Sequence, residues 1–151
     1  MTKTTLSRPA SITAALAIMI AASPAWADSE SAEIVNQPPE LIAWQQSPEG
    51  ASFATLWGDL MADKHGAMIK LPGGVSSPMH IHTVDMHGIV ISGTFSHIAE
   101  GAEASSEIDL PPGSYYLLPA NLPHISRCVS EVECVTFIYQ DAKFDFVPTE
   151  N

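Results

Sequence analysis

The stretch PMHIHTVDMHGIVISG, residues 78–93, places three histidines within eight positions, His80, His82 and His87. Imidazole titrates near neutral pH and is the commonest metal-ligating side chain. On a β-strand, positions i and i+2 project to the same side. His80 and His82 can therefore reach one ion through bonds of roughly 2.0–2.1 Å. A pair of exposed strand histidines is the competing reading, and the pair alone does not decide between them. Two imidazoles also leave a coordination sphere incomplete, so further donors have to come from elsewhere. The other histidines are His65, His97 and His124. His124 closes GSYYLLPANLPH, residues 113–124, which reads as a strand, a Pro-X-Asn turn and a histidine just beyond it.

Taken together, the two stretches resemble the cupin superfamily. The first cupin motif runs Gly, five residues, HxH, three or four residues, Glu, six residues, Gly; here Gly74, His80, His82 and Gly93 fit that spacing. The second runs Gly, five residues, Pro-X-Gly, two residues, His, three residues, Asn; here Gly113, Pro119 and His124 fit. Asn121 stands in the turn-glycine position, and Asn tolerates the left-handed conformation. Cys128 stands where the motif closes on Asn. The segments HTVDMHGIVISG and FIYQ…FDF also look similar to the anti-sigma-factor (ChrR-like) cupins. The resemblance implies a small β-barrel, often dimeric, holding a divalent metal among inward-facing histidines, with His124 arriving on a neighbouring strand to complete a trio.

The departure from the motif falls on its glutamate. Counting back from Gly93 puts that position at Met86, in agreement with strand parity from His80 and His82. A thioether is no substitute for a carboxylate on a hard cation. The longer family spacing puts His87 in the slot instead, and a β-bulge could turn Asp85 inward. Three readings stay open: a site of three histidines alone, one completed by His87, or one completed by Asp85. Iron, manganese, zinc and copper all suit such a donor set. His97 lies outside both motifs; it could line the pocket, but a packed or surface histidine is the expectation.

These residues need elements to hold them. After residue 50 the chain breaks into brief β-like runs (SFATLWG, GAMIKL, HGIVIS, GTFSHIA, GSYYLL, HISRCV, CVTFIY, FDFV) separated by Gly, Pro and Asn. Short strands at this spacing argue for an all-β sandwich or small barrel, and with the resemblance for a single cupin-type, jelly-roll-like barrel over residues 51–151. Residues 28–50, with NQPPE and QQSPEG, read as an extended N-terminal arm. Helix is an expectation only at SAEIVNQ and GDLMADK. Trp44 and Trp57 read as core anchors, and Tyr115, Tyr116, Phe137 and Tyr139 as core or pocket wall.

Residues 1–27 read as a signal peptide. Lys3 and Arg8 supply the positive start, ITAALAIMIAA the apolar run, and Ala25 and Ala27 the small residues before a cut. The run is too short to span a bilayer. The mature chain is then 124 residues, 151 less 27, in the periplasm or secreted. It carries 17 acidic side chains against four basic ones, a formal charge of −13. That charge argues against nucleic acid and anionic membrane surfaces as partners and leaves a small-molecule ligand or substrate, with a homodimer implied by the resemblance. Cys128 and Cys134 flank Glu131 symmetrically; in an oxidising compartment they are expected to pair across a hairpin. No phosphate-binding loop or nucleophile elbow is present in the mature stretch. The functional expectation is a metal-dependent dioxygenase acting on a small organic substrate, with a non-catalytic, sensory metal- or ligand-binding module as the alternative. A metal-independent sugar isomerase leaves the histidines unexplained.

Overall fold

A computed structural model of the chain describes residues 33–48 and 50–149. The expected signal peptide lies outside the described residues. The chain divides between Val35 and Asn36, and every strand belongs to the unit Asn36–Asn151.

Ten strands form two antiparallel sheets. They are β1 (Gln45–Gln46), β2 (Ser52–Gly58), β3 (His65–Leu71), β4 (His80–Ile81), β5 (Met86–Ser92), β6 (Phe95–Ala99), β7 (Tyr115–Leu118), β8 (His124–Cys128), β9 (Cys134–Gln140) and β10 (Val147–Pro148). One sheet has six strands in the order β1-β2-β3-β9-β5-β7, the other four in the order β10-β4-β8-β6. The all-β class expected from the sequence is what forms. The jelly-roll-like arrangement takes the form of two antiparallel sheets that are not closed into a barrel. Both helix expectations are also corrected. From Glu33 to Gln37 no helix forms, and residues 59–64 make turns; the only helical turns among the described residues are short 3₁₀ turns at Pro39–Leu41 and Ala104–Ser106.

Side-chain alternation decides what each sheet turns inward. On the large sheet β5 and β9 show the pattern most clearly. Met86, Gly88 and Val90 are buried while Ile89 and Ile91 are each 47% exposed. The core gathers Ala67, Met86, Val90, Phe95, Tyr116, Leu118, Cys128, Cys134 and Ile138. Gly88 is required by close approach: a Cβ there would lie 2.1 Å from the Tyr116 ring, so its absence leaves room for that ring against β5. Trp57 corrects the expectation of a core anchor. The register slips between Thr55 and Trp57, which moves Trp57 from the inward parity of Phe53 to the outer face, over Gly66 and beside Tyr139. Trp57 is 45% exposed, and Tyr115 on the same outer face 58%. Trp44 is half-buried beneath Lys70, whose ammonium stands 4.1 Å above the ring.

Cys128 and Cys134 form the expected disulfide, with Cα atoms 5.7 Å apart. The geometry is not that of a hairpin. β8 belongs to the four-stranded sheet and β9 to the six-stranded one, so the bridge ties the two layers together at one end of the core. The residues read as an arm also contribute to the fold, since Gln45 and Gln46 pair with Phe53 and Ser52 at the sheet edge.

A candidate metal centre between the sheets

His80 opens β4, His82 lies just beyond it, and His124 opens β8 directly opposite His80 in the ladder. A turn makes that pairing possible. Asn121 takes φ +61°, the left-handed conformation, and its N–H donates to the His82 carbonyl at 2.8 Å. The Pro119–Asn121 turn is thereby fastened to β4 before the chain enters β8. Each of the three histidines is at most 3% exposed.

Their hydrogen bonds fix the chemistry. His80 Nδ1 lies 3.0 Å from the Pro78 carbonyl, His82 Nδ1 2.5 Å from the Asp145 carbonyl, and His124 Nδ1 2.9 Å from the Leu122 carbonyl. A carbonyl can only accept, so all three Nδ1 atoms carry the proton and donate it. In a neutral ring the proton-free nitrogen is then Nε2, the tautomer that ligates metal through Nε2. Potential ligand atoms of the three side chains all lie within 4.8 Å of one another, and theirs is the one such group among the described residues. His124 Nε2 is buried and has no protein hydrogen-bond partner. Three proton-free Nε2 atoms on buried side chains gathered this closely form a donor set that would fit a cation.

Burial sets the protonation state. It pushes His80 down to about 4, helped by repulsion from His124 and His82. It also lowers His82, against the raising effect of the Asp145 carbonyl and carboxylate, and it lowers His124. All three rings are therefore neutral at pH 7, as metal ligation requires. The Asp145 carboxylate, 3.8 Å from His82 Nδ1, is correspondingly no ion-pair partner. Its role is local: it accepts the Thr83 N–H at 3.0 Å and the Thr83 hydroxyl, pinning the chain just past His82. Phe146 stacks on His80 with ring centroids 4.0 Å apart, and Val147 and Pro148 pair with β4. The C-terminal segment thus straps His80 and His82 in place.

The remaining sequence candidates separate cleanly. Met86 is 3% exposed and turns into the space beside His80 and His82. Asp85 is exposed and accepts the Ala120 N–H at 2.7 Å. His87 faces the other side of β5, where its Nδ1 lies 2.8 Å from the Tyr115 hydroxyl. The structure brings His80, His82 and His124 together, and does not bring His87 or Asp85 to them.

His97 was not singled out by the sequence, yet it lines the same space. Its ring packs on Tyr116 with centroids 4.4 Å apart and its Nδ1 bonds with the Ser126 hydroxyl at 3.0 Å. Burial pushes it down to about 3, aided by the three other histidines, and its Nε2 has no protein partner. The i, i+2 relation to Phe95 on a strand leading inward was the only signal available for it. Tyr116, whose hydroxyl meets that of Thr136 at 2.9 Å, is held neutral as burial pushes its phenol up. His65 is fully buried elsewhere, opposite Gln140, and its Nδ1 donates to the Asp63 carbonyl.

With this geometry in view, comparisons with known proteins place the chain. Residues 21–151 match the family described as "Domain of unknown function (DUF4437)". The chain belongs to the DUF4437 family. Solved structures of similar shape include several titled as cupins, and the likeness shows a cupin fold. KdgF from Halomonas sp. is 19% identical with a TM-score of 0.57, covering 71% of this chain and 94% of its own. The DMSP lyase DddQ from Ruegeria pomeroyi DSS-3 is 17% identical with a TM-score of 0.58, covering 73% and 62% respectively, so this chain spans less than two thirds of that protein. An RmlC-like cupin from Shewanella frigidimarina is 16% identical with a TM-score of 0.56, covering 70% and 89%. At such identities the likeness establishes the cupin fold and leaves activity to be argued from the site. No curated protein matches the chain.

Proposed function

We propose that this DUF4437 chain is an exported cupin that holds a divalent metal ion through Nε2 of His80, His82 and His124, and that it acts as a metal-dependent dioxygenase on a small organic substrate. The observation that carries the metal assignment is the shared tautomer: three Nδ1–H groups donate to three backbone carbonyls and leave three Nε2 atoms bare in one buried space. An ion held by three neutral imidazoles keeps its positive charge and open positions, and so supplies Lewis acidity or, for a redox metal, a place for dioxygen beside substrate. The protein's own residues orient and exclude water. Asp145 and Leu122 fix two ring orientations through their carbonyls, while Phe144 and Phe146 help wall the space. Similar folds bear printed names that include lyases and an oxalate oxidase, which supports a catalytic use of the fold.

One observation favours a second reading, a non-catalytic ligand-binding or sensory module. Among the described residues the cavity wall holds no carboxylate, and the slot where cupins carry glutamate is filled by Met86. Elemental analysis and oxygen uptake on protein recovered from its own compartment separate the two. Iron or manganese near one equivalent, with oxygen consumption on some substrate, supports the dioxygenase. Tightly held zinc without turnover supports the module. Export is supported by the N-terminal sequence and by the disulfide. The mature protein should begin at Asp28 on N-terminal sequencing, and an intact Met1 overturns the export reading.

A further inference from the structure

The cavity beside the histidines has a volume of about 350 Å³, within the range of small-molecule sites. Both sheets contribute to its wall, and most of that wall is apolar, with Phe53, Ile69, Phe95, Leu118 and Phe144 among the lining side chains. Its polar lining consists of hydroxyls (Ser, Thr and the Tyr116 phenol) and histidines. No Lys, Arg, Asp or Glu lines it among the described residues. An ionised group taken from water into such a wall has nothing to pair with, and that desolvation is costly. Among the described residues no cationic side chain lines the cavity, so positive charge there would come from an ion held at the histidine trio, and His80 and His82 form part of the cavity wall.

We infer that the cavity selects one chemical class of ligand: a small molecule with a single oxygen-donor head that binds the metal and an uncharged, predominantly apolar body that lies between the sheets. This rests on the metal reading above. Dicarboxylates and zwitterionic amino acids are disfavoured, because each carries a second charge that would have to sit against the apolar wall, and sugar phosphates because their polyol body would lose its hydrogen bonds to water there. A neutral or monoanionic head on an aromatic or branched aliphatic body fits, since the metal meets the head and Phe53, Phe95 and Leu118 meet the body.

The test uses the full mature protein loaded with Co(II), whose visible absorption reports both metal uptake and ligand binding. Three hydroxamates share one head and differ in body: acetohydroxamate, benzohydroxamate and 4-carboxybenzohydroxamate. Benzohydroxamate should bind at least tenfold more tightly than acetohydroxamate, because its ring leaves water for an apolar wall. The carboxylated ligand should bind at least tenfold more weakly than benzohydroxamate. A charged body that binds as tightly as the neutral one overturns the inference while leaving the metal site standing. Protein that takes up no cobalt overturns the metal reading and this inference with it. A gain-of-function variant adds a second arm. Leu71→Lys, at the half-buried end of β3 where the side chain lines the cavity, should reverse the order so that the carboxylated ligand becomes the tighter. An unchanged order in folded, cobalt-loaded Leu71→Lys contradicts it, and the parent series decides by itself if that variant does not fold.

Discussion

Met86→Glu should change sign with metal. Met86 is 3% exposed, opens β5, and turns toward His80 and His82, the position that strand parity assigns to the missing cupin carboxylate. Without metal, the new carboxylate sits among neutral rings and apolar walls with no cation to pair. Keeping it protonated at pH 7.5, against an ordinary Glu pKa of about 4.3, costs about 4 kcal/mol. That is an upper bound, since a neighbouring histidine can take up a proton and relieve it. The metal-free variant should therefore be about 2–4 kcal/mol less stable, which for a unit of this size lowers Tm by roughly 8–16 °C. With metal present the carboxylate becomes a fourth ligand, and affinity should rise at least tenfold, about 1.4 kcal/mol. The assay is thermal unfolding of parent and variant with chelator and with excess Mn(II) or Zn(II), then competition titration for affinity. The deficit in chelator should shrink at pH 5, where glutamate protonates more cheaply. His87→Glu, on the outer side of the same strand, should show neither effect. A Met86→Glu protein that folds without metal yet binds it no more tightly than the parent refutes the assignment of this slot.

Other expectations rest on the same physics. The metal-free protein should hold its Tm above about pH 7 and lose stability as pH falls from 6.5 to 5. His80, His82, His97 and His124 all have folded pKa values below the unfolded 6.5, so the unfolded chain takes up protons first; a Tm that rises across that window contradicts the burial assigned to them. Asp145→Ala removes the acceptor for Thr83 and loosens the segment whose carbonyl orients His82, so metal affinity should fall roughly tenfold with the ligands intact; unchanged affinity by titration rules out that positioning role. Replacing Cys128 and Cys134 together by Ala opens a short loop and should cost about 2 kcal/mol, with Tm about 8 °C lower, and a loss below 2 °C would show that the bridge contributes little.

The sequence was informative where chemistry depends on local spacing. The i, i+2 rule puts His80 and His82 on one face, and the same parity carries Met86 inward and His87 outward. His124 was legible through the resemblance to the second cupin motif, whose turn position is filled by Asn121 with φ +61°. What local spacing could not show was long-range. The carbonyl that orients His82 belongs to Asp145, 63 residues away, in a segment that read only as one more strand. His97 carries no motif, and its place in the cavity depends on β6 pairing with β8. A one-residue slip in β2 turned Trp57 outward, and bulges leave no dependable mark in a short apolar run. Whether the strand edges meet as a barrel or stay apart as two sheets is likewise decided by hydrogen bonding between distant segments.

The central claim is that one ion is shared by three particular nitrogens. Metal stoichiometry of the parent and of His80→Ala, His82→Ala, His124→Ala and His87→Ala, after identical loading and desalting, addresses it most directly. The parent should hold about one equivalent. Each of the first three variants should lose most of it while remaining folded, because the core is built from Ala67, Val90, Phe95 and Ile138 rather than from the trio. His87→Ala should keep its metal. Full retention by His124→Ala, the residue supplied by the second half of the motif, would contradict the account.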